Sequence, residues 1–100
     1  MPYAFIQDVP ANEHVYAEVR ARLGDSPPKG LISHVVVPAE GGGLRYIDLW
    51  DSAEDWERFR EEQVEPVVGE VLAAHGLPLY PSLVRFEELR LVDAWVGDGR

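Results

Sequence analysis

One α+β domain with the element order β-α-β-β-α-β is predicted by three features of the chain. Short aromatic and β-branched runs precede each of two segments with helical apolar periodicity, as a strand-to-helix alternation requires. Three consecutive glycines, Gly41 to Gly43, separate two further runs and supply the positive backbone dihedrals of a hairpin. A length of 100 residues leaves room for one hydrophobic core and no second, so residues 1–100 are read as one domain with a flexible tail over 97–100.

Each element follows in order. Strand one is YAFIQD, Tyr3 to Asp8, ended by Val9-Pro10, because proline cannot donate a ladder hydrogen bond. The first helix lies within NEHVYAEVRARLG: Asn12 caps it, Val15, Val19 and Leu23 form a stripe with Tyr16 beside it, and Gly24 ends it. DSPPKG is a stiff loop, and LISHVVVPAE is strand two. Strand three is LRYIDLW, after the glycines. Ser52 and Asp55 have the spacing of a capping box, and the acids at 51, 54, 55 and 57 suit the positive end of a helix. Trp56, Phe59 and Gln63 share a face. Pro66 predicts a break near Val64 and a second helical piece to His75, ended by Gly76. LPLYPSL is a loop, and VRFEELRLVDAWV is strand four.

Two strand-helix-strand units joined by a hairpin make the ferredoxin-like arrangement, four antiparallel strands with both helices on one face. The helix-free face of such a sheet ordinarily alternates into polar residues. Here it does not. Strand two offers Leu31, Val35 and Val37 on one side and Ile32 and Val36 on the other. In strand three, Ile47 and Leu49 are expected against the helices, leaving Leu44, Tyr46 and Trp50 on the uncovered side. At about 25 cal/mol per Å² and roughly 150–250 Å² per aromatic ring, leaving that face wet costs several kcal/mol. A second copy packed sheet to sheet is the expected remedy, which makes the chain a homodimer.

The net charge of −9 repels phosphate backbones and anionic lipid, so neither nucleic acid nor a membrane surface is an expected partner. There is no cysteine, hence no disulfide framework or thiolate chemistry. The first residues show no basic segment followed by an apolar run, and no stretch approaches the ~20 apolar residues of a bilayer span. The expected location is cytoplasmic.

Two side chains invite a chemical reading. His34 sits mid-strand among apolar neighbours, and histidine is the side-chain type that exchanges protons near neutral pH. Asp48 lies among aromatics, where a carboxylate needs partners. If the two share a face they form a base with an orienting carboxylate; three glycines in the hairpin leave that register open. The plain alternative is a hydrogen-bonded interface or core histidine. Tyr46 and Trp50 are placed to stack on a planar ligand and Tyr80 to close over it, or else all serve as packing. His14 and Glu18 read as a solvated pair on the first helix. No metal-ligand spacing, phosphate-binding loop or nucleophile elbow is present, and no metal or cofactor is expected.

The run RYIDLWDSAEDWERF, Arg45 to Phe59, after the glycine hairpin resembles the antibiotic biosynthesis monooxygenase-like proteins of the dimeric α+β barrel superfamily, with their acid, tryptophan, polar cap and acidic helix. The resemblance implies a homodimer with a pocket beside each helix layer. It implies cofactor-free oxygenation of polyketide-like phenols, with Trp50 as the cavity tryptophan and Gln7 where related members carry asparagine. Haem-degrading members carry a helix histidine where this chain has Arg60, which points away from haem breakdown. Two functions are therefore expected in competition. One is a cofactor-independent monooxygenase, or a related isomerase or cyclase, with His34 and Asp48 catalytic and Gln7, Tyr46, Trp50 and Tyr80 binding a planar apolar molecule. The other is a non-catalytic ligand-binding or accessory dimer.

Overall fold

The computed structural model describes residues 2–77 and 84–97. Its elements are β1 (Tyr3–Val9), α1 (Glu13–Leu23), β2 (Leu31–Pro38), β3 (Leu44–Trp50), α2 (Ala53–Phe59), a π-helical turn (Arg60–Val64), α3 (Glu65–Ala74) and β4 (Arg85–Leu89). The strands form one sheet in the order β2-β3-β1-β4 with every neighbouring pair antiparallel, which is the ferredoxin-like α+β fold expected. Among the described residues no helix is long and apolar enough to cross a membrane.

The caps form as read from the sequence. The Asn12 Oδ1 accepts from the Val15 amide at 2.8 Å, and the Ser52 hydroxyl accepts from the Asp55 amide at 3.2 Å. All three hairpin glycines have positive φ. At Gly43 a Cβ would also run into the Val9 carbonyl oxygen, so both the backbone angle and the space demand glycine.

The predicted break before Pro66 is instead a π turn inside one unbroken run of helix. There the Glu65 amide bonds to the Arg60 carbonyl, five residues back. Proline lacks an N–H and crowds the carbonyl four residues earlier, so widening the turn ahead of Pro66 relieves the clash without ending the helix. The extra residue also shifts the inward face. Val64, not Gln63, packs on the core of Phe5, Trp50 and Trp56.

The faces of β3 are opposite to the sequence expectation. Trp50 packs against Trp56 and Phe59, with ring centroids 5.5 and 5.6 Å apart, and Tyr46 packs against Tyr16 of α1 at 5.5 Å. Leu44, Tyr46, Asp48 and Trp50 therefore face the helices, and Ile47 and Leu49 face away. The reason is aromatic packing: Trp56 and Phe59 offer flat apolar rings that Trp50 and Phe5 fill, at about 4–6 kcal/mol for each buried aromatic. Trp50 retains 1% of its accessible surface. In β2 a register shift between Leu31 and Ser33 puts Leu31 opposite Trp50 on the helix side, separated from Val35 and Val37. A bulge adds one residue and breaks simple alternation there.

Strand four is shorter than expected, Arg85–Leu89. Among the described residues its one neighbouring strand is β1, and the Ala4–Leu89 pair lies one residue from the start of β1. Beyond that pair β1 has only Tyr3 left. The following segment leaves Val92 and Trp95 outside the fold, Trp95 being 96% exposed.

Candidate functional site

The register pairs His34 directly with Asp48 across β2 and β3, on the helix side of the sheet. The His34 Nδ1 lies 2.6 Å from the Asp48 Oδ1. The Trp50 indole Nε1–H donates to the other carboxylate oxygen, Oδ2, at 3.0 Å. On the far side of the imidazole, Nε2 meets the Tyr16 hydroxyl at 2.8 Å. Four side chains from α1, β2 and β3 thus form one continuous hydrogen-bonded line, Tyr16–His34–Asp48–Trp50.

The carboxylate fixes the direction of these bonds. It accepts only, so His34 must carry a hydrogen on Nδ1, and in the neutral ring Nε2 is then an acceptor for the Tyr16 hydroxyl. Asp48 is 5% exposed, and each of its oxygens has a donor, which is what a buried carboxylate requires. The His34 side chain keeps 27% of its surface. Tyr46 closes the third side, edge-on to His34 at 5.5 Å between ring centroids.

Both neighbouring phenols hold their protons more tightly than a free tyrosine. Burial is the main cause for Tyr16, reinforced by the Asp48 charge and opposed by Arg20. Burial also dominates at Tyr46, with further upward contributions from Tyr16 and Asp48. The site therefore presents neutral phenols around an imidazole-carboxylate pair. Its chemical capacity is to accept a proton at the imidazole and stabilise the resulting cation against Asp48.

The other predicted site residues fall as follows. Gln7 is half-buried on the same sheet face, directly across from Tyr46. Trp50 is enclosed by Trp56 and Phe59, and its contact with the site is the hydrogen bond to Asp48. Tyr80 lies outside the described residues. His14 and Glu18 do not pair: Glu18 reaches His75 at 3.0 Å, and the rings of His14 and His75 stand edge to face at 6.0 Å. Among the described residues no group of three or more His, Asp or Glu side chains has an arrangement that could hold a metal ion.

Tyr16 was not legible as a site residue. Its contact with His34 spans 18 positions, and its only sequence signal was a place beside the apolar stripe of α1. A cavity of about 300 Å³ lies elsewhere, between the end of α1 and the π turn, bordered by Leu23, Pro28, Lys29, Asp55, Arg58 and Phe59. A smaller one of about 80 Å³ lies on the helix-free face at Ile6, Asp8, Arg45, Arg85 and Glu87. Neither includes His34 or Asp48.

No protein-family model and no curated protein matches the chain by sequence. Solved structures do match it by shape. A candidate antibiotic biosynthesis monooxygenase from Chloroflexus aurantiacus J-10-fl gives a TM-score of 0.59 at 18% identity, over 97% of this chain and 100% of that one. A protein of unknown function from Nitrosomonas europaea gives 0.60 at 15% identity, over 98% and 95%. A variant of SnoaB, a cofactor-independent oxygenase from Streptomyces nogalater, gives 0.58 at 14% identity, over 93% and 95%. At such identities the likeness is one of fold, and the fold is that of antibiotic biosynthesis monooxygenase-like proteins.

Proposed function

We propose that the chain is a homodimeric enzyme that abstracts a proton from a planar phenol or enol and lets the resulting anion react with dioxygen without a bound cofactor. One oxygen atom enters the product and the other leaves as water, the substrate itself supplying the electrons. The observation that carries this reading is the 2.6 Å contact between His34 and the buried Asp48, a base with its orienting carboxylate. Tyr46 and Gln7 lie beside the pair on the same sheet face and would line the ligand. That a protein of this fold, SnoaB, is described as a cofactor-independent oxygenase supports the reaction class by analogy.

The dimer rests on the helix-free face. Val35, Ile47 and Leu89 are 49, 38 and 36% exposed there. With Ile6, Val37 and Leu49 they make an apolar surface, edged by the Asp8–Arg45 ion pair. Sheet-to-sheet packing of a second copy would cover it. Light scattering should report two chains at low micromolar concentration, and Ile47→Lys should halve the mass. A wild-type monomer would remove the dimer.

The catalytic reading is tested by oxygen consumption with planar polyhydroxylated aromatics, comparing the wild type with His34→Ala and Asp48→Asn. Loss of about 100-fold or more in either variant is expected for a general base and its orienting group. A second reading is favoured by one observation: neither cavity touches the pair. In that reading the line of side chains is internal structure of a non-catalytic ligand-binding or accessory dimer. Equal turnover, or none, in all three proteins would select it.

A further inference from the structure

We infer that Tyr16 is the group that meets the substrate, and that it hands the proton inward to His34, which Asp48 holds. This rests on the reading of the site as proton-abstracting and assigns its outermost member.

The inference follows from counting free lone pairs along the line. Both oxygens of Asp48 are taken, one by His34 and one by Trp50. Both nitrogens of His34 are taken as well, Nδ1 by Asp48 and Nε2 by Tyr16. Neutral His34 therefore has no unused acceptor, and the lone pairs left on Asp48 are buried with it, the residue being 5% exposed. The Tyr16 hydroxyl spends its one hydrogen on Nε2, and its oxygen keeps a lone pair. Tyr16 is half-buried on α1, beside Tyr46, so this oxygen is the open end of the line.

The step balances without any added reagent. The substrate O–H hydrogen moves to the Tyr16 oxygen while the hydrogen of Tyr16 moves to His34 Nε2. The electron pair of the broken bond stays on the substrate. The products are a substrate anion and an imidazolium held against Asp48, with Tyr16 again a neutral phenol. A free Tyr16 phenolate, which burial disfavours, is never formed. Direct attack by His34 would instead require Tyr16 to leave Nε2 first.

Tyr16→Phe separates the two routes, because it deletes the relay and frees His34 Nε2 at once. The probe is 4-nitrophenol, whose phenolate absorbs visibly, added below the pH at which the free probe ionises. The wild type should ionise the bound probe, and in Tyr16→Phe, compared at saturating probe, the ratio of ionised to neutral bound probe should be at least ~10-fold lower. Equal or greater ionisation in Tyr16→Phe would overturn the relay in favour of direct contact by His34. Nitrogen-proton correlation NMR reads the wiring without any ligand. Neutral His34 should carry its hydrogen on Nδ1, and a slowly exchanging Tyr16 hydroxyl proton should vanish in Tyr16→Phe. A hydrogen on Nε2 of neutral His34 would overturn the relay even if the probe binds. Failure of every protein to bind the probe would overturn the proposed function, while the NMR result would still support or overturn the relay.

Discussion

Removing the carboxylate of Asp48 while keeping its branched shape, as in Asp48→Leu, should strand two donors. The Trp50 indole N–H has no route to water, since its residue is 1% exposed, and the His34 Nδ1–H has partial access. A buried donor left without a partner costs about 1–3 kcal/mol, so the pair should cost roughly 2–4 kcal/mol. For a domain of this size that lowers the melting temperature by roughly 10–30 °C. Asp48→Asn retains one acceptor, and its amide can donate to Nδ1 once His34 moves its hydrogen to Nε2; its cost should be about 1 kcal/mol. Leucine is bulkier than aspartate, so overpacking must be separated from the orphaned donor. A urea-denaturation cycle with Trp50→Phe does this, because phenylalanine has no N–H to strand. The coupling between positions 48 and 50 should be about 1–2 kcal/mol. Costs that simply add, within about 0.5 kcal/mol, would refute the account of Asp48 as the acceptor that the core is built around.

Four further outcomes are expected. Gly43→Ala should cost about 2 kcal/mol or more, from positive φ and the Val9 carbonyl. Gly69→Ala, in α3 with open space around it, should gain about 0.5–1 kcal/mol; both are read from denaturation midpoints. Tyr3, Tyr16 and Tyr46 all hold their protons more tightly when folded, Tyr3 being pushed up to about 12 by burial and its hydrogen bond to Glu88. Raised folded values leave stability whole below the ordinary tyrosine value near 10, and stability should fall as pH climbs from there; phenolate absorbance near pH 10 in native Tyr80→Phe protein, which keeps only these three tyrosines, would contradict this. Asp8 is held below the ordinary carboxylate range by its two hydrogen bonds from Arg45. Its contribution should be present above that ordinary value and vanish as pH falls through the lowered one. Denaturation of Arg45→Met should show less acid dependence across that window.

The order of elements was legible because local chemistry enforces it: Asn12 and Ser52 cap, Gly41 to Gly43 turn, and Val35 to Val37 extend. The faces of β3 were not. An alternating strand declares two sides but not which one meets the helices. Polarity alone sends Asp48 outward, whereas the structure keeps it inside with His34 and Trp50 as donors. The His34–Asp48 pairing needed the hairpin register, which the glycines leave free. Tyr16 needed the docking of α1 on the sheet, a long-range contact without local signature. The length of β4 was set by where β1 begins, not by its own apolar residues.

The π turn at Arg60–Val64 makes the length of this helix a structural variable in its own right. Successive residues of a helix are about 100° apart around its axis. Were the turn to tighten into an ordinary α-helix with all its residues kept, everything after it would arrive about 100° out of phase. Val71, now fully enclosed, would swing away from its seat, and Pro66 would meet the carbonyl it presently avoids. A homologue lacking one residue here would form that ordinary helix with its downstream apolar stripe still in register, and would need a different side chain at the proline.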